Sequence, residues 1–105
     1  MIEPTVGRIV YFVPGEVDVM IPRHGNEPLA AMIVRVLDGN KIVNLAVFDM
    51  NGVPWGRCGV RLVQPGDERP SAGHYCLWMP FQVASAKRVS EAGTLAGNGA
   101  TEAAG

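Results

Sequence analysis

Residues 29–48, LAAMIVRVLDGNKIVNLAVF, decide the fold of this 105-residue chain. Two β-prone apolar runs flank Asp38-Gly39-Asn40, whose members enter positive φ at little cost, as tight hairpin loops of the primed types require. The stretch reads as a β-hairpin. With the loop at Asp38-Gly39 or Gly39-Asn40, Met32, Val34 and Val36 share a face with Val43, Leu45 and Val47, and that face is wholly apolar. A slip of one residue would set Val34 opposite Asn44 and spoil it. The other face carries Ile33, Arg35, Ile42, Asn44 and Ala46, a mixed set suited to water or a partner.

Strand signals continue on both sides of the hairpin. Residues 5–13, TVGRIVYFV, form a first strand with Ile9, Tyr11 and Val13 on one side and Val10 and Phe12 on the other. Pro14-Gly15 ends it, and residues 16–28 make a long loop in which alternating Val17, Val19 and Ile21 fit a short edge strand. After the hairpin, Asp49-Met50-Asn51-Gly52 is a second turn signal, so a third antiparallel strand follows. Val53-Pro54-Trp55-Gly56 marks a bulge or an edge, because proline cannot donate to a ladder. Beyond it Cys58, Val60 and Leu62 face inward and Arg57 and Arg61 outward. Residues 64–73 are a polar surface loop, and residues 74–79 a last strand with His74, Cys76 and Trp78 opposite Tyr75, Leu77 and Met79.

The resulting expectation is all-β: a small, strongly bent SH3-like barrel of five to six antiparallel strands over residues 1–80. An OB-like barrel would want a helix between its third and fourth strands, where the Asp49 turn leaves no room. Residues 81–91 are expected as a short helical or extended segment. Residues 92–105, almost all Ala and Gly with only Leu95 to bury, are expected as a disordered tail.

Composition narrows the function. Nine Lys and Arg stand against ten Asp and Glu, a formal charge of −1, so the basic footprint of a nucleic-acid binder is missing and nucleic acid is not expected. No apolar run reaches the length of a membrane span, and MIEPTVGR does not have the order of a secretory signal, so a cytoplasmic location without membrane is expected. The two cysteines, Cys58 and Cys76, are expected as free thiols. His74, Cys76 and Cys58 would offer three soft ligands on paired strands. A structural zinc site needs four, so no metal and no cofactor are expected. The same His and Cys are not accompanied by an orienting third group or an oxyanion site, so the chain is not expected to be an enzyme.

Binding is the stronger expectation. Tyr11, Phe12, Trp55, Tyr75, Trp78 and Phe81 lie in or beside the first strand, the bulged region and the last strand, which are neighbours in a closed barrel. A surface of Tyr11, Trp55, Tyr75 and Trp78 with Arg8, Arg57, Arg61 and His74 would stack a ring and hold a phosphate. Tyr11, Val13, Tyr75, Leu77 and Met79 exceed what one small interior can hide, and their surplus points to a homo-oligomer built through the first and last strands.

The segments T-V-G-R-I-V-Y-F, L-A-A-M-I-V-R-V, L-A-V-F before a turn, and A-G-H-Y-C-L-W-M-P resemble small uncharacterised proteins of tailed bacteriophages and prophages. In those, a G-R-I-V-x-Y start, an A-A-I-V strand, an L-A-V strand and a closing G-T-W-H-W-P segment recur. The resemblance covers residues 5–80, and H-Y-C-L-W stands here in place of the Trp-His-Trp core. It implies a phage origin. With no catalytic grouping and with strands apolar on both faces that ask for a cover, the expectation is a phage accessory protein in the host cytoplasm that binds a small nucleotide-like ligand or a host protein, an anti-defence role being one form of it. The alternative is a structural or decoration protein of the virion.

Overall fold

In the hairpin, Leu37 pairs with Ile42 and Val36 with Val43, so the loop is the four residues 38–41. Asp38, Gly39 and Asn40 all take positive φ, at 43°, 59° and 71°. The flanking strands, β2 (Leu29–Leu37) and β3 (Ile42–Phe48), keep the Gly39-Asn40 register as far as Arg35 opposite Asn44. There it shifts: Ile33 faces Leu45, and Val34 is an extra residue on β2. A bulge of one residue exchanges the two faces beyond it. Ala31 and Ile33 are therefore fully buried with Val43 and Val47, whereas Met32 and Val34 are 36% and 48% exposed. The expected inward set Met32 and Val34 is corrected to Ala31 and Ile33.

The structure, a computed structural model, describes residues 1–96, with side chains as far as Val89. Besides the hairpin it contains β1 (Ile9–Val13), β4 (Pro54–Val63), β5 (Tyr75–Leu77), a 3₁₀ turn at Glu16–Asp18 and a helix, α1 (Pro80–Ala96). The five strands close into a barrel in the order β1-β2-β3-β4-β5, with β1 lying between β2 and β5. This is the small bent barrel that the strand pattern predicts. No helix separates β3 from β4. One seam departs from the antiparallel expectation: β5 runs parallel to β4, with Leu62 beside Cys76 and Val63 beside Leu77. Residues 64–74 carry the chain back along the barrel before β5 begins, which is what a parallel pairing requires.

Val10, Phe12, Ile21, Val60, Leu62, Cys76 and Trp78 join the hairpin residues in one core. The alternation on β1 and β5 is as the sequence predicts. On β4 it is not uniform, because Arg57 pairs with Leu45 but Val60 with Val43, so Cys58 and Gly59 together oppose Asn44. Gly59 has φ of 67°, and its N–H donates to Asn44 Oδ1 at 2.9 Å. Trp55 and Arg57 consequently turn toward the interior, while Cys58 is exposed. The expected inward Cys58 and outward Arg57 are both corrected by this bulge.

The first loop contains no edge strand. Its Val17 and Val19 are 75% and 72% exposed, and Asp18 and Ile21 go inside instead. It crosses the end of the barrel where β1 and β3 finish and β2, β4 and β5 begin, and Met50 N–H donates to Pro22 O at 3.0 Å to hold it there.

Helix α1 starts at Pro80, where a missing N–H costs nothing. Gln82 accepts from Met79 N–H at 2.7 Å and donates to Ile9 O at 2.8 Å, tying the first turn to β1. The helix spans residues 81–91 and continues through 92–96, past the start of the expected tail. Residues 97–105, the rest of that tail, lie outside the described residues.

Candidate functional site

Two sites arise from the expected binding residues. The first is a groove on the outer face of β1 and β5. Val13 pairs with Tyr75 and Tyr11 with Leu77, so the four side chains share one surface. The loop after β4 forms one wall with Gln64, Pro65, Asp67 and Arg69, and α1 forms the other with Val83, Ala84 and Lys87. Asn26 and Pro28 of the first loop close one end, and the volume is about 740 Å³.

Gln64 fixes the floor of this groove. Its Oε1 accepts from Trp78 Nε1 at 3.2 Å and from Ile2 N–H at 2.9 Å, and its Nε2 donates to Ile2 O at 2.8 Å. Trp78 is only 3% exposed, a core side chain that shows an edge to the groove. The Arg8 guanidinium lies 4.7 Å from the centre of its ring, a cation–π contact. Arg69 and Lys87 are the cations of the lining, and Asp67, whose Oδ2 accepts from Gln64 N–H at 3.2 Å, is its one carboxylate.

The second site is centred on Asp18, a residue that reading the sequence missed. Its side chain is fully buried, yet every polar atom of it is engaged. Oδ1 accepts from Arg57 Nε at 2.6 Å, and Oδ2 accepts from Gly15 N–H at 2.8 Å and meets His74 Nδ1 at 2.8 Å. Burial raises the carboxyl pKa, but the hydrogen bonds from Arg57, Gly15 and His74 together outweigh it and hold the group below its ordinary value. The His74 ring also packs on Phe12, with centroids 5.2 Å apart. The Gly15-Glu-Val-Asp18 spacing, a backbone N–H capped by a carboxylate three residues on, is the signal in the sequence that could have found it.

The other expected residues separate. Trp55 donates from Nε1 to Asp49 Oδ2 at 3.0 Å and serves the β3–β4 turn rather than the groove. Asp49 Oδ1 accepts from Asn51 and Val53 N–H in that turn, and Trp55 first, against partial burial, keeps its pKa low. Arg61 is exposed and lines a second concavity with Met1, Asp38, Lys41 and Glu68. Phe12 is in the core, and Phe81 is 66% exposed. So Tyr11, Tyr75 and Trp78 meet in the groove, Arg57 and His74 meet at Asp18, and Trp55 and Arg61 join neither.

Cys58 turns away from the barrel interior that holds Cys76, so the two thiols and His74 do not converge. Among the described residues no group of three metal-ligating side chains occurs, and no helix is long and apolar enough to cross a membrane. The chain matches no protein-family model, no curated protein and no solved structure.

Proposed function

We propose that the protein is a non-enzymatic binding domain of phage accessory type, working in the host cytoplasm, and that a small nucleotide-like ligand occupies the groove of Tyr11 and Tyr75. The observation that carries this reading is the groove itself. Two tyrosines and an apolar lining form a concavity of about 740 Å³ with Arg69 and Lys87 at its rim, a size typical of small-molecule sites. Tyrosine faces stack planar rings, and the two rim cations suit the charge such a ligand carries.

Thermal denaturation against a panel of nucleotides and cyclic nucleotides tests it. A ligand at a hundredfold its dissociation constant adds about 2.7 kcal/mol to stability, and Tyr75→Ala abolishes the shift. An unchanged melting temperature across the panel removes the small-ligand reading. Sedimentation of the same protein then tests the expected homo-oligomer, and a monomer leaves a host protein as the partner to be sought.

A second reading, a virion component, is favoured by a different surface. Val17, Val19 and Met20 on the first loop and Met50 and Val53 on the turn bonded to it are all more than half exposed. Several exposed apolar side chains on two segments bonded to each other suit packing against a neighbour. Peptide mass spectrometry of purified particles separates the two: a virion component is present in many copies and an accessory protein is absent.

A further inference from the structure

Around Asp18 the charges do not balance. Two guanidinium groups reach this residue: Arg57 at its carboxylate, and Arg23, whose Nη1 donates to the Asp18 carbonyl oxygen at 3.3 Å. Guanidinium is never deprotonated in proteins, so one carboxylate stands against two cations, with the His74 imidazole beside them. Among the described residues no other carboxylate bonds either guanidinium. Asp49 is committed to its own turn and Trp55, Glu27 pairs with His24, and Glu16 is exposed and forms no ion pair among the described residues.

Donors are also left over. Arg57 uses Nε on Asp18 and Nη1 on the Gly56 carbonyl, Arg23 uses only Nη1, and His74 uses Nδ1. Arg57 Nη2 and Arg23 Nε and Nη2 make no hydrogen bond among the described residues, and neither does His74 Nε2, which is a donor only in the imidazolium form. The Arg57 and His74 side chains are 23% and 21% exposed, so they are pinned from beneath by a buried carboxylate and open to solvent at their outer atoms.

We propose that Arg23, Arg57 and His74 form an anion-binding site at the end of the barrel crossed by the first loop, that Asp18 is its positioning residue, and that its ligand is a phosphate group. Guanidinium N–H pairs match the oxygens of a phosphate two at a time. The Asp18 anchor has already removed much of the side-chain freedom that binding would otherwise cost. The site is distinct from the groove: His74 turns toward the interior and the adjacent Tyr75 turns out, as successive strand residues do.

The test is a titration with inorganic phosphate at constant ionic strength, following arginine Nε–H and histidine ring resonances by NMR. The expected result is saturable movement of the Arg23, Arg57 and His74 signals. Arg23→Gln keeps the dispersed spectrum of the fold and weakens phosphate about tenfold, the effect of one charge-assisted hydrogen bond. Arg88→Gln, which removes the same charge from an exposed part of α1, leaves the affinity unchanged. Adenosine 5′-phosphate moves the same signals and adenosine does not, whether the phosphate arrives free or on a nucleotide. Shifts that fail to saturate, or equal affinity in Arg23→Gln and the unmodified protein, overturn the proposal and reduce the cluster to a strut between loop and barrel.

Discussion

Arg57 Nε donates to Asp18 Oδ1 at 2.6 Å, joining β4 to a loop that precedes it by 39 residues. That bond and the His74 contact on the other carboxylate oxygen fasten the first loop to two strands at once. Asp18→Asn leaves the Arg57 charge partly buried without its partner. A loss of roughly 3 kcal/mol is expected, the range found when one member of a buried ion pair is removed. Urea unfolding of the two proteins measures it, and a difference below the error of the extrapolation would show that the cluster is energetically idle.

The same carboxylate makes stability depend on pH. Its folded pKa lies below the ordinary value of 3.8, so the unfolded chain takes up the proton first. The contribution is complete above the unfolded pKa and is lost as pH falls through the folded one. Asp49, lowered by Trp55 and its turn N–H groups, acts with the same sign. Melting temperature is expected to fall with acidification in the unmodified protein, and less steeply in Asp18→Asn, where that carboxylate no longer titrates.

The two thiols differ in reactivity. Cys76 is buried, and burial alone pushes its pKa up to about 12. Thiolate is the reactive form, so Cys76 resists alkylation while Cys58, outside on the β4 bulge, does not. Under native conditions iodoacetamide is expected to add one group, which peptide mapping places on Cys58, and a second only after unfolding. Rapid native labelling of Cys76 would mean that the barrel opens readily near β5.

Gly15 permits a close approach of backbone to backbone. A Cβ there would lie 2.6 Å from His74 N and 2.7 Å from Gly73 C, neither of which can swing aside as a side chain does. Gly15 φ is −109°, so the obstacle is contact and not conformation. Gly15→Ala is expected to cost about 1–3 kcal/mol by overpacking. Gly25→Ala, at a loop tip with nothing within 4 Å of the added Cβ, pays only for its positive φ and serves as the comparison.

The barrel was legible because its strands alternate and its turns carry Asp-Gly-Asn and Asn-Gly. What the alternation could not show was where it changes phase. Val34 and the Cys58-Gly59 pair each add one residue to a strand, and each turns the side chains beyond it to the other face. Gly59 inside an otherwise β-prone run was the available sign for the second bulge. Nothing comparable marks Val34, since Ile33 and Val34 are nearly equivalent in the core. Asp18 was hidden for a different reason: a charged residue between two valines reads as the wet side of an edge strand, and its partners Arg57 and His74 are contributed by distant strands. Tyr11 and Tyr75 were expected on one surface because the first and last strands are the two ends of a closed sheet, and β1 does lie beside β5, with Tyr11 opposite Leu77 and Tyr75 opposite Val13.

The parallel seam joins β4 to β5 through only two residue pairs, Leu62 with Cys76 and Val63 with Leu77. The remainder of β4, from Pro54 to Arg61, has no strand on that side, a length of unpaired main chain on which another extended chain could template itself. Its composition works against that. Pro54 has no N–H to offer, the Cys58-Gly59 bulge breaks the spacing that a docking strand would need, and the exposed Arg61 brings like charge into any pairing of two copies. The irregularity that defeated a simple reading of β4 thus also guards the barrel against fibre-like growth at its shortest join.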